Sequence, residues 1–347
     1  MQKEDLILAK LGRARRKPIE VSKENLVRAE CFQPNASLPL VMQPLVNGID
    51  PAAWATTNRS SIEQQLAVHG GVLFRNFNIT SVELFRQFIA AIAGKEPLAY
   101  SERSSPRVAV GDNIYTSTDY PANQSIFLHN ENSYQQSWPM YIFFYCATPA
   151  SEGGETPIAD CRKIYERISP RVRQLFIDRK WMYVRNFGDG FGLPWQTVFQ
   201  TNDPGVVERH CRANGIQVEW RSGDRLRVRA IRNAVTAHPR TGEPVWFNHA
   251  TFFHVTTLEP SVREALLADY EGDNLPTNTF YGDGSPIEPE VLDELREAYR
   301  SETVAFPWQV NDVLWLDNML TAHGRAPYTG ERKVLVGMAH QYSRAEN

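Results

Sequence analysis

Short apolar runs bounded by glycine, proline, asparagine or aspartate recur along the chain, and most of them have the length of a strand. In Arg225–Ile231, arginine alternates with leucine, valine and alanine, a period of two that is typical of a strand. Met140–Ala147 is an apolar run without interruption, which predicts a strand buried on both faces. Further strands are predicted at Gly71–Phe77, Ile126–Leu128, Ile216–Trp220, Val313–Leu316 and Lys333–Ala339.

Fewer segments carry helix signals. Helices are predicted at Ser60–His69, from a capping box of Thr80 and Glu83 to Ile92, and at Arg162–Asp178, Pro204–Asn214, Pro260–Tyr270 and Pro289–Arg300. Residues 33–55 carry prolines and asparagines and predict a loop. Many short strands with helices in front and inserted in the middle favour a mainly β fold with flanking helices. The predicted core is a double-stranded β-helix, or jelly roll, rather than a parallel α/β sheet.

No internal repeat, low-complexity tract or linker divides the 347 residues. We predict a flexible basic arm at residues 1–20 and a single domain at 21–347, with an inserted lid and substrate region at about 160–300. The net charge of −3 gives no overall basic field that would indicate nucleic acid or an anionic membrane as partner.

The sequence also predicts a cytoplasmic location. No run approaches the ~18 apolar residues of a membrane span. The charged N-terminus, MQKEDLILAKLGRARRKPIE, lacks the apolar core of a signal peptide. The four cysteines are scattered and suit a reducing compartment. We therefore expect a soluble, cytoplasmic protein with neither a membrane nor a nucleic-acid partner.

The segment Phe127–Tyr134 carries the most informative chemistry, an H-x-E motif formed by His129 and Glu131. On an extended segment these two side chains point to the same side and are able to bind one metal ion. His323, just after the predicted strand Val313–Leu316, is the best candidate for a third ligand. Two imidazoles and one carboxylate form the facial triad of non-haem Fe(II) oxygenases, which leaves coordination positions open for a 2-oxo acid and O2.

Two residues outside the motif suit an anionic co-substrate such as 2-oxoglutarate. Thr156 follows the tight turn Glu152-Gly-Gly-Glu, and Arg332 lies nine residues after His323 at the head of the last strand. An arginine with a hydroxyl partner forms a charge-assisted clamp for a carboxylate. The alternative for Arg332 alone is a solvated charge at a strand end.

These motifs resemble those of the TauD/TfdA family of Fe(II)/2-oxoglutarate dioxygenases, in particular a SyrP-like branch of natural-product pathways. The resemblance extends from about Gly71 to Ala339. Its densest stretches are Tyr115–Pro121, His129–Tyr134, Gly153–Asp160, Trp246–His249 and Asp317–Arg325.

The resemblance implies that His129, Glu131 and His323 bind iron and that Thr156 and Arg332 hold the distal carboxylate of 2-oxoglutarate. Because the spacing after the distal histidine varies among relatives, Lys333 and Arg325 stay open as alternatives to Arg332. The carboxylate of Glu131 disfavours halogenation, since related halogenases lack it to admit chloride. The implied reaction is hydroxylation of a C–H bond, with desaturation, epoxidation or ring closure as other outcomes.

The expected substrate is a small molecule. Analogy with the SyrP-like branch suggests an amino acid or an aminoacyl group tethered to an acidic carrier protein. Candidate substrate contacts are Tyr115, Thr116, Thr118, Asn248 and His249, with Arg103 and Arg107 for an anionic group. Arg225, Arg227 and Arg229 predict a solvated face or, alternatively, a docking surface for the carrier. A zinc hydrolase and a non-catalytic jelly-roll binding module are the rival interpretations, and the oligomeric state is left open.

Overall fold

The computed structural model describes residues 26–34, 36–99, 108–118, 120–188, 192–270 and 274–344. The predicted arm at 1–20 and the candidates Arg103 and Arg107 lie outside the described residues. Within the described segments, every helix is too short or too polar to span a lipid bilayer.

Strands dominate the chain, as the hydrophobic pattern predicts. In chain order they are β1 (Val27–Gln33), β2 (Ala36–Pro44), β3 (Gly71–Phe74), β4 (Ala109–Gly111), β5 (Ile114–Thr116), β6 (Ile126–His129), β7 (Ser137–Thr148), β8 (Glu152–Gly153), β9 (Ile158–Asp160), β10 (Trp181–Phe187), β11 (Gln217–Arg221), β12 (Arg225–Arg232), β13 (Val235–Ala237), β14 (Pro244–Trp246), β15 (Thr277–Tyr281), β16 (Thr303–Val304), β17 (Val313–Asp317), β18 (Thr321–Arg325), β19 (Tyr328–Thr329) and β20 (Lys333–Ser343).

The helices lie in front of the core strands and in the middle of the chain. They are α1 (Pro51–His69), α2 (Val82–Ala93), α3 (Cys161–Arg167), α4 (Pro170–Arg179), α5 (Trp195–Phe199), α6 (Pro204–Ala213), α7 (Pro260–Asp269) and α8 (Pro289–Ser301). A short 3-10 helix spans Val255–Thr257.

The predicted loop at 33–55 is wrong, because β2 and the first turn of α1 occupy most of it. In β2 the alternating Leu38, Leu40 and Met42 are buried, and this period-two pattern outweighs the prolines as a signal. Helix α1 begins nine residues before the predicted Ser60. Asp50 accepts a hydrogen bond from the backbone N–H of Ala53, which caps the helix before a proline at its first position.

Two other predicted helix features are also wrong. Ser81, not Thr80, caps α2 by accepting from the N–H of Leu84, and Glu83 pairs with Arg86 instead of closing a capping box. The single helix predicted at Arg162–Asp178 is two helices. Pro170 lacks an N–H and disfavours a helical residue before it, so α3 ends and α4 restarts there.

Two sheets build the core. The larger has eight strands in the order β1-β2-β3-β17-β7-β20-β5-β4, and the smaller has four in the order β16-β9-β18-β6. Phe144 of β7 contacts His323 of β18 edge-on, with ring centroids 5.0 Å apart, so the inner faces of the two sheets meet there. This is the jelly-roll core that the sequence predicts.

Helices α1 and α2 cover the other face of the large sheet. Along β7, Ile142 and Phe144 belong to the core between the sheets, whereas Tyr141, Phe143 and Tyr145 belong to the core under the helices. Burial of both faces explains why this strand is an unbroken apolar run.

A separate four-stranded sheet, β11-β12-β10-β15, occupies the middle of the chain. The prediction that the arginines of β12 form a solvated face is wrong for Arg227, which is buried and donates to Asn186 at 2.9 Å. Arg229 donates to Glu219 of β11 at 3.0 Å. The strand register places polar residues on the strands beside Arg227 and Arg229, so these guanidinium groups bond to side chains within the sheet. The role of this insertion as lid or substrate wall stays a prediction.

Candidate metal and co-substrate site

The two histidines meet through strand pairing. Strand β18 runs antiparallel to β6, with His323 directly opposite His129, and their ring centroids are 4.6 Å apart. A bulge follows at Gly324, where a Cβ atom would lie 2.5 Å from the backbone oxygen of Ile126. Only glycine allows this approach, so residue 324 fixes the spacing of the two imidazoles.

Glu131 reaches the same place from a turn. Strand β6 ends at His129, and Asn132 adopts a left-handed conformation with φ of +57°, so Glu131 does not lie on the predicted extended segment. The turn nevertheless brings the carboxylate to the imidazoles. One candidate ligand atom from each of His129, Glu131 and His323 lies within 4.8 Å of the others.

This donor set fits Fe(II). Nδ1 of His129 lies 2.9 Å from the backbone oxygen of Phe127, which favours the tautomer that leaves Nε2 available for a metal. Glu131 and His323 are buried, at 3% and 5% exposure, so water does not compete strongly for their ligand atoms. Two imidazoles and one carboxylate on one side of a site are the donors of non-haem iron oxygenases.

A pocket adjoins the histidines and contains the predicted co-substrate residues. Its lining includes Ser117, Thr118, Phe144, Thr156 and Arg332 together with His129 and His323. Thr156 accepts a hydrogen bond from the indole N–H of Trp308 at 3.2 Å, which leaves the hydroxyl proton for another acceptor.

Arg332 is a half-buried cation beside this pocket. Its Nε donates to the backbone oxygen of Gly154 at 2.8 Å, and it forms no ion pair with a described residue. Burial, followed by the neighbouring charge of Arg325, lowers the pKa of Arg332 to about 10, so it stays protonated at neutral pH. A cation without a counter-ion at this position suits an anionic ligand.

The predicted glycine turn shapes the surroundings of Arg332. Gly153 and Gly154 both have positive φ, +68° and +73°. A Cβ atom on Gly153 would lie 2.2 Å from the backbone oxygen of Pro327, and one on Gly154 would lie 2.9 Å from Cδ of Arg332. The two glycines therefore let the turn pack directly against the arginine.

The two alternative cations are placed differently. Arg325 also lines the pocket, but its guanidinium donates to the backbone oxygens of Tyr120, Pro121 and Gln124. Lys333 is exposed at the start of β20. Arg332 is thus the better positioned of the three for a carboxylate in the pocket.

Two of the predicted substrate contacts, Tyr115 and Asn248, are buried, whereas Thr116 is half-buried. Tyr115 packs in the core between the two sheets. Thr116 accepts from the backbone N–H of Val108, and Asn248 bonds to the backbone at Ala234 and Ala250. Thr118 lines the pocket beside the histidines instead.

His249 lies beside the triad. Its ring centroid is 5.9 Å from that of His129, and its Nδ1 is 2.5 Å from the hydroxyl oxygen of Ser133. Burial and the proximity of His129 hold the pKa of His249 well below its usual value, so it is a neutral imidazole. Among the described residues, neither His249 nor His254 belongs to a cluster of metal-ligand atoms.

Two residues at the site were missed by sequence reasoning. The ring of Phe252 stacks on His129, with centroids 4.4 Å apart and planes 23° from parallel. In the sequence, the only indication of a role for Phe252 was that it belongs to the aromatic segment around His249. Asn318 bonds to the backbone of Glu131, and its sequence signal was its place in the Asp317–Arg325 motif.

Comparison with known proteins agrees with this geometry. Residues 37–339 match the model of the taurine catabolism dioxygenase TauD, TfdA family. The chain belongs to the TauD/TfdA family. It is 40% identical over 308 residues to the dapdiamide synthesis protein DdaC of Enterobacter agglomerans, covering 86% of this chain and 93% of DdaC. It is also 28% identical over 320 residues to a clavaminate synthase-like protein of Arabidopsis thaliana, covering 88% and 89% of the two chains.

Solved structures share the fold of this TauD/TfdA chain. PvcB, an Fe, alpha-ketoglutarate dependent oxygenase from an isonitrile synthetic pathway, superposes with a TM-score of 0.55 at 16% identity, covering 91% of this chain and 93% of PvcB. A second structure of PvcB, from Pseudomonas aeruginosa, gives 0.53 at 15% identity, covering 91% and 92%. The predicted family and jelly-roll fold are confirmed. The protein is an oxygenase that uses iron and 2-oxoglutarate to oxidise a small molecule.

Proposed function

We propose that His129, Glu131 and His323 hold the Fe(II) of this oxygenase, and that Thr156 and Arg332 hold the distal carboxylate of 2-oxoglutarate. One observation carries the proposal: the three ligand atoms lie within 4.8 Å of one another and adjoin a pocket that contains Arg332. When bound, iron with 2-oxoglutarate and O2 supplies an oxidant able to attack an unactivated C–H bond.

The protein side chains position the reactants. The guanidinium of Arg332 and the hydroxyl of Thr156 supply donors for one end of 2-oxoglutarate, so that its 2-oxo acid end is directed towards the imidazoles. Phe252 covers one face of His129 and limits water beside the metal. The chain thus fixes where the co-substrate lies before any substrate enters.

The substrate is proposed to bind near His249 and Phe252. Ser133 orients the imidazole of His249, and the aromatic rings around it provide an apolar wall with one polar group. The name of DdaC, a dapdiamide synthesis protein, supports a substrate from natural-product biosynthesis. We place an amino acid or an aminoacyl group there, with hydroxylation as the outcome because Glu131 occupies the position that a halide would need.

A carrier-tethered substrate is a finer form of this proposal. The arginines of β12 do not support it as a docking surface, because Arg227 is buried and Arg229 pairs with Glu219. Tethering would be tested by comparing turnover of free and carrier-bound aminoacyl groups. A zinc hydrolase would use the same three ligands but would have no role for Arg332.

Anaerobic absorption spectroscopy tests the assignment of the site. Fe(II) and 2-oxoglutarate added to the metal-free protein should give a weak visible charge-transfer band from the chelate. His129→Ala and Glu131→Gln should abolish the band, whereas Arg332→Gln should shift it to higher 2-oxoglutarate concentration. Bound Fe(II) without any band would overturn the co-substrate assignment and favour the hydrolase.

A further inference from the structure

The side-chain amide of Asn318 forms a two-point contact with the backbone of Glu131. Its Oδ1 accepts from the Glu131 N–H at 2.8 Å, and its Nδ2 donates to the Glu131 backbone oxygen at 2.9 Å. Nδ2 also donates to the backbone oxygen of Pro139 at 2.9 Å. The amide therefore satisfies both backbone groups of the residue that carries the carboxylate.

Asn130, the residue before Glu131, makes a hydrogen bond in the opposite direction, to the backbone of Asn318. The side-chain Nδ2 of Asn130 donates to the backbone oxygen of Asn318 at 2.7 Å, and both asparagines are fully buried. Asn318 lies in the turn between β17 and β18, five positions before His323. One buried amide thus connects the turn that carries Glu131 to the hairpin that carries His323.

We infer that Asn318 is a positioning residue that sets the location of the Glu131 carboxylate relative to His323; this rests on the proposed function of the triad. Glu131 lies outside any strand, so no sheet ladder holds its backbone. Without the Asn318 amide, a buried N–H and a buried carbonyl lose their partners. The turn then relaxes, and a shift of about 0.5 Å is enough to impair a metal site.

Metal affinity measured without turnover tests the inference. We would titrate Co(II) into the metal-free protein and follow its visible absorption, with unfolding temperature as a check of the fold. Asn318→Ala should weaken Co(II) binding by about 10- to 100-fold, as outer partners of ligands do. Asn186→Ala is the control, because the amide of Asn186 also makes two contacts, with the backbone oxygen of Leu275 and with Arg227, in the separate sheet away from the triad. It should change affinity by less than about threefold.

The outcomes distinguish failure of the positioning role of Asn318 from failure of the metal site. Equal Co(II) affinity in Asn318→Ala and Asn186→Ala would overturn the positioning role. Asn318→Asp serves as the second variant if Asn318→Ala does not fold. It keeps the size and the acceptor but loses the donor, so it should also weaken Co(II) binding. Parental Co(II) affinity in Asn318→Asp would overturn the positioning role. Parental affinity in His129→Ala would overturn the metal site itself.

A second, independent feature is a cavity of about 30 Å³ that is lined by Tyr134, whose ring centroid is 5.1 Å from that of His249. Arg185 of β10 lines it, together with Gln135, His210 and Asn214. The guanidinium of Arg185 lies over the ring of Phe187 at 4.9 Å and makes neither an ion pair nor a hydrogen bond with a described residue. No acidic side chain is among the described residues that line the cavity.

Two more arginines bond to the backbone at Tyr134, which lines the cavity, and at the residue before it. Arg232 donates to the backbone oxygen of Tyr134 at 3.0 Å, and Arg344 donates to that of Ser133 at 3.1 Å. The volume exceeds the ~10–15 Å³ that one water needs but does not admit a whole metabolite, so it suits one small polar end group. We propose that this cavity binds the carboxylate of the substrate, which makes the substrate a carboxylic acid; this rests on the proposed function.

Ligand-observed NMR tests this carboxylate subsite. The protein is saturated with Zn(II) and 2-oxoglutarate to fill the co-substrate pocket, and N-acetylglycine is compared with its neutral analogue N-acetylglycinamide. N-acetylglycine alone should bind, and Arg185→Gln should weaken its binding at least tenfold. Arg173→Gln is the control, because Arg173 also lies over a ring, that of Tyr165 at 4.6 Å, away from the cavity.

The contrary outcomes are distinct. The subsite would be overturned if N-acetylglycinamide bound as well as N-acetylglycine, or if Arg185→Gln bound N-acetylglycine as well as the parent protein. It would also be overturned if Arg185→Gln and Arg173→Gln lost the same amount of binding. Failure of 2-oxoglutarate to bind in the same spectra would overturn the proposed function instead.

Discussion

The glycine turn beside Arg332 gives the sharpest prediction, for Gly154→Ala. The new Cβ would lie 2.9 Å from Cδ of Arg332 and 3.0 Å from Cβ of Ala150. Relaxed carbon contacts are about 3.5–4.0 Å, so the arginine has to retreat by roughly 0.5–1 Å. A two-pronged pair with a carboxylate does not survive this shift intact.

The size of the effect follows from the bonds at risk. A hydrogen bond to a charged group contributes about 1.5–3 kcal/mol, so loss of one prong should raise the Kd for 2-oxoglutarate by about 10- to 100-fold. The variant also places a side chain at φ of +73°, which costs about 1–2 kcal/mol of stability. Stability and co-substrate affinity should therefore both fall.

Gly242→Ala separates these two effects. Gly242 has nearly the same φ, +74°, but a Cβ there meets nothing within 4 Å. Urea unfolding should show a similar loss of stability in both variants, whereas anaerobic titration of the Fe(II) protein should show weaker 2-oxoglutarate binding only for Gly154→Ala. Unchanged 2-oxoglutarate affinity in Gly154→Ala would refute the packing argument and, with it, the position given to Arg332.

Three other outcomes are expected. Burial, then Arg296, lowers the pKa of His254 from 6.5 to about 4, so protonation of the unfolded chain should remove up to about 3 kcal/mol of stability as pH falls from 6.5 to 4. Urea unfolding of His254→Gln should lack this part of the pH dependence; an identical pH profile would contradict it. Gly324→Ala, with its Cβ 2.5 Å from a backbone oxygen, should cost about 1–3 kcal/mol and weaken Co(II) binding, and parental affinity would argue against that spacing role. Arg325→Lys should lower the unfolding temperature but leave the 2-oxoglutarate Kd within about threefold, because the side chain holds three backbone oxygens; a large rise in Kd would make Arg325 the clamp.

The strands of the core and the three residues that cluster in the candidate metal site were accessible from the sequence. Apolar periodicity locates β7, β17 and β20 within a few residues, because burial acts on every position of a strand. The H-x-E motif and the distal histidine carry their chemistry in residue type and order. Thr156 and Arg332 were likewise suggested by a glycine turn and a strand head, and the structure places both beside one pocket.

The features that the sequence pattern did not predict depend on tertiary contacts. Asn318 bonds to the backbone of the turn that carries Glu131, and no local signal predicts such a partner. The arginines of β12 look solvated in one dimension, but neighbouring strands bring Asn186 and Glu219 to them. Tyr115 alternates as a pocket residue would, yet it faces the core.

The bond between Asn130 and Asn318 joins positions 188 residues apart. Closing so long a loop carries an entropic cost, so we expect this bond and the cluster beside it to form late in folding. A nascent or partly folded chain holds the first histidine and the carboxylate without the second histidine. In the proposed site, metal would therefore bind only after the hairpin that carries His323 has docked. We expect a chelator to remove activity without unfolding the protein, unlike in domains that need metal to fold.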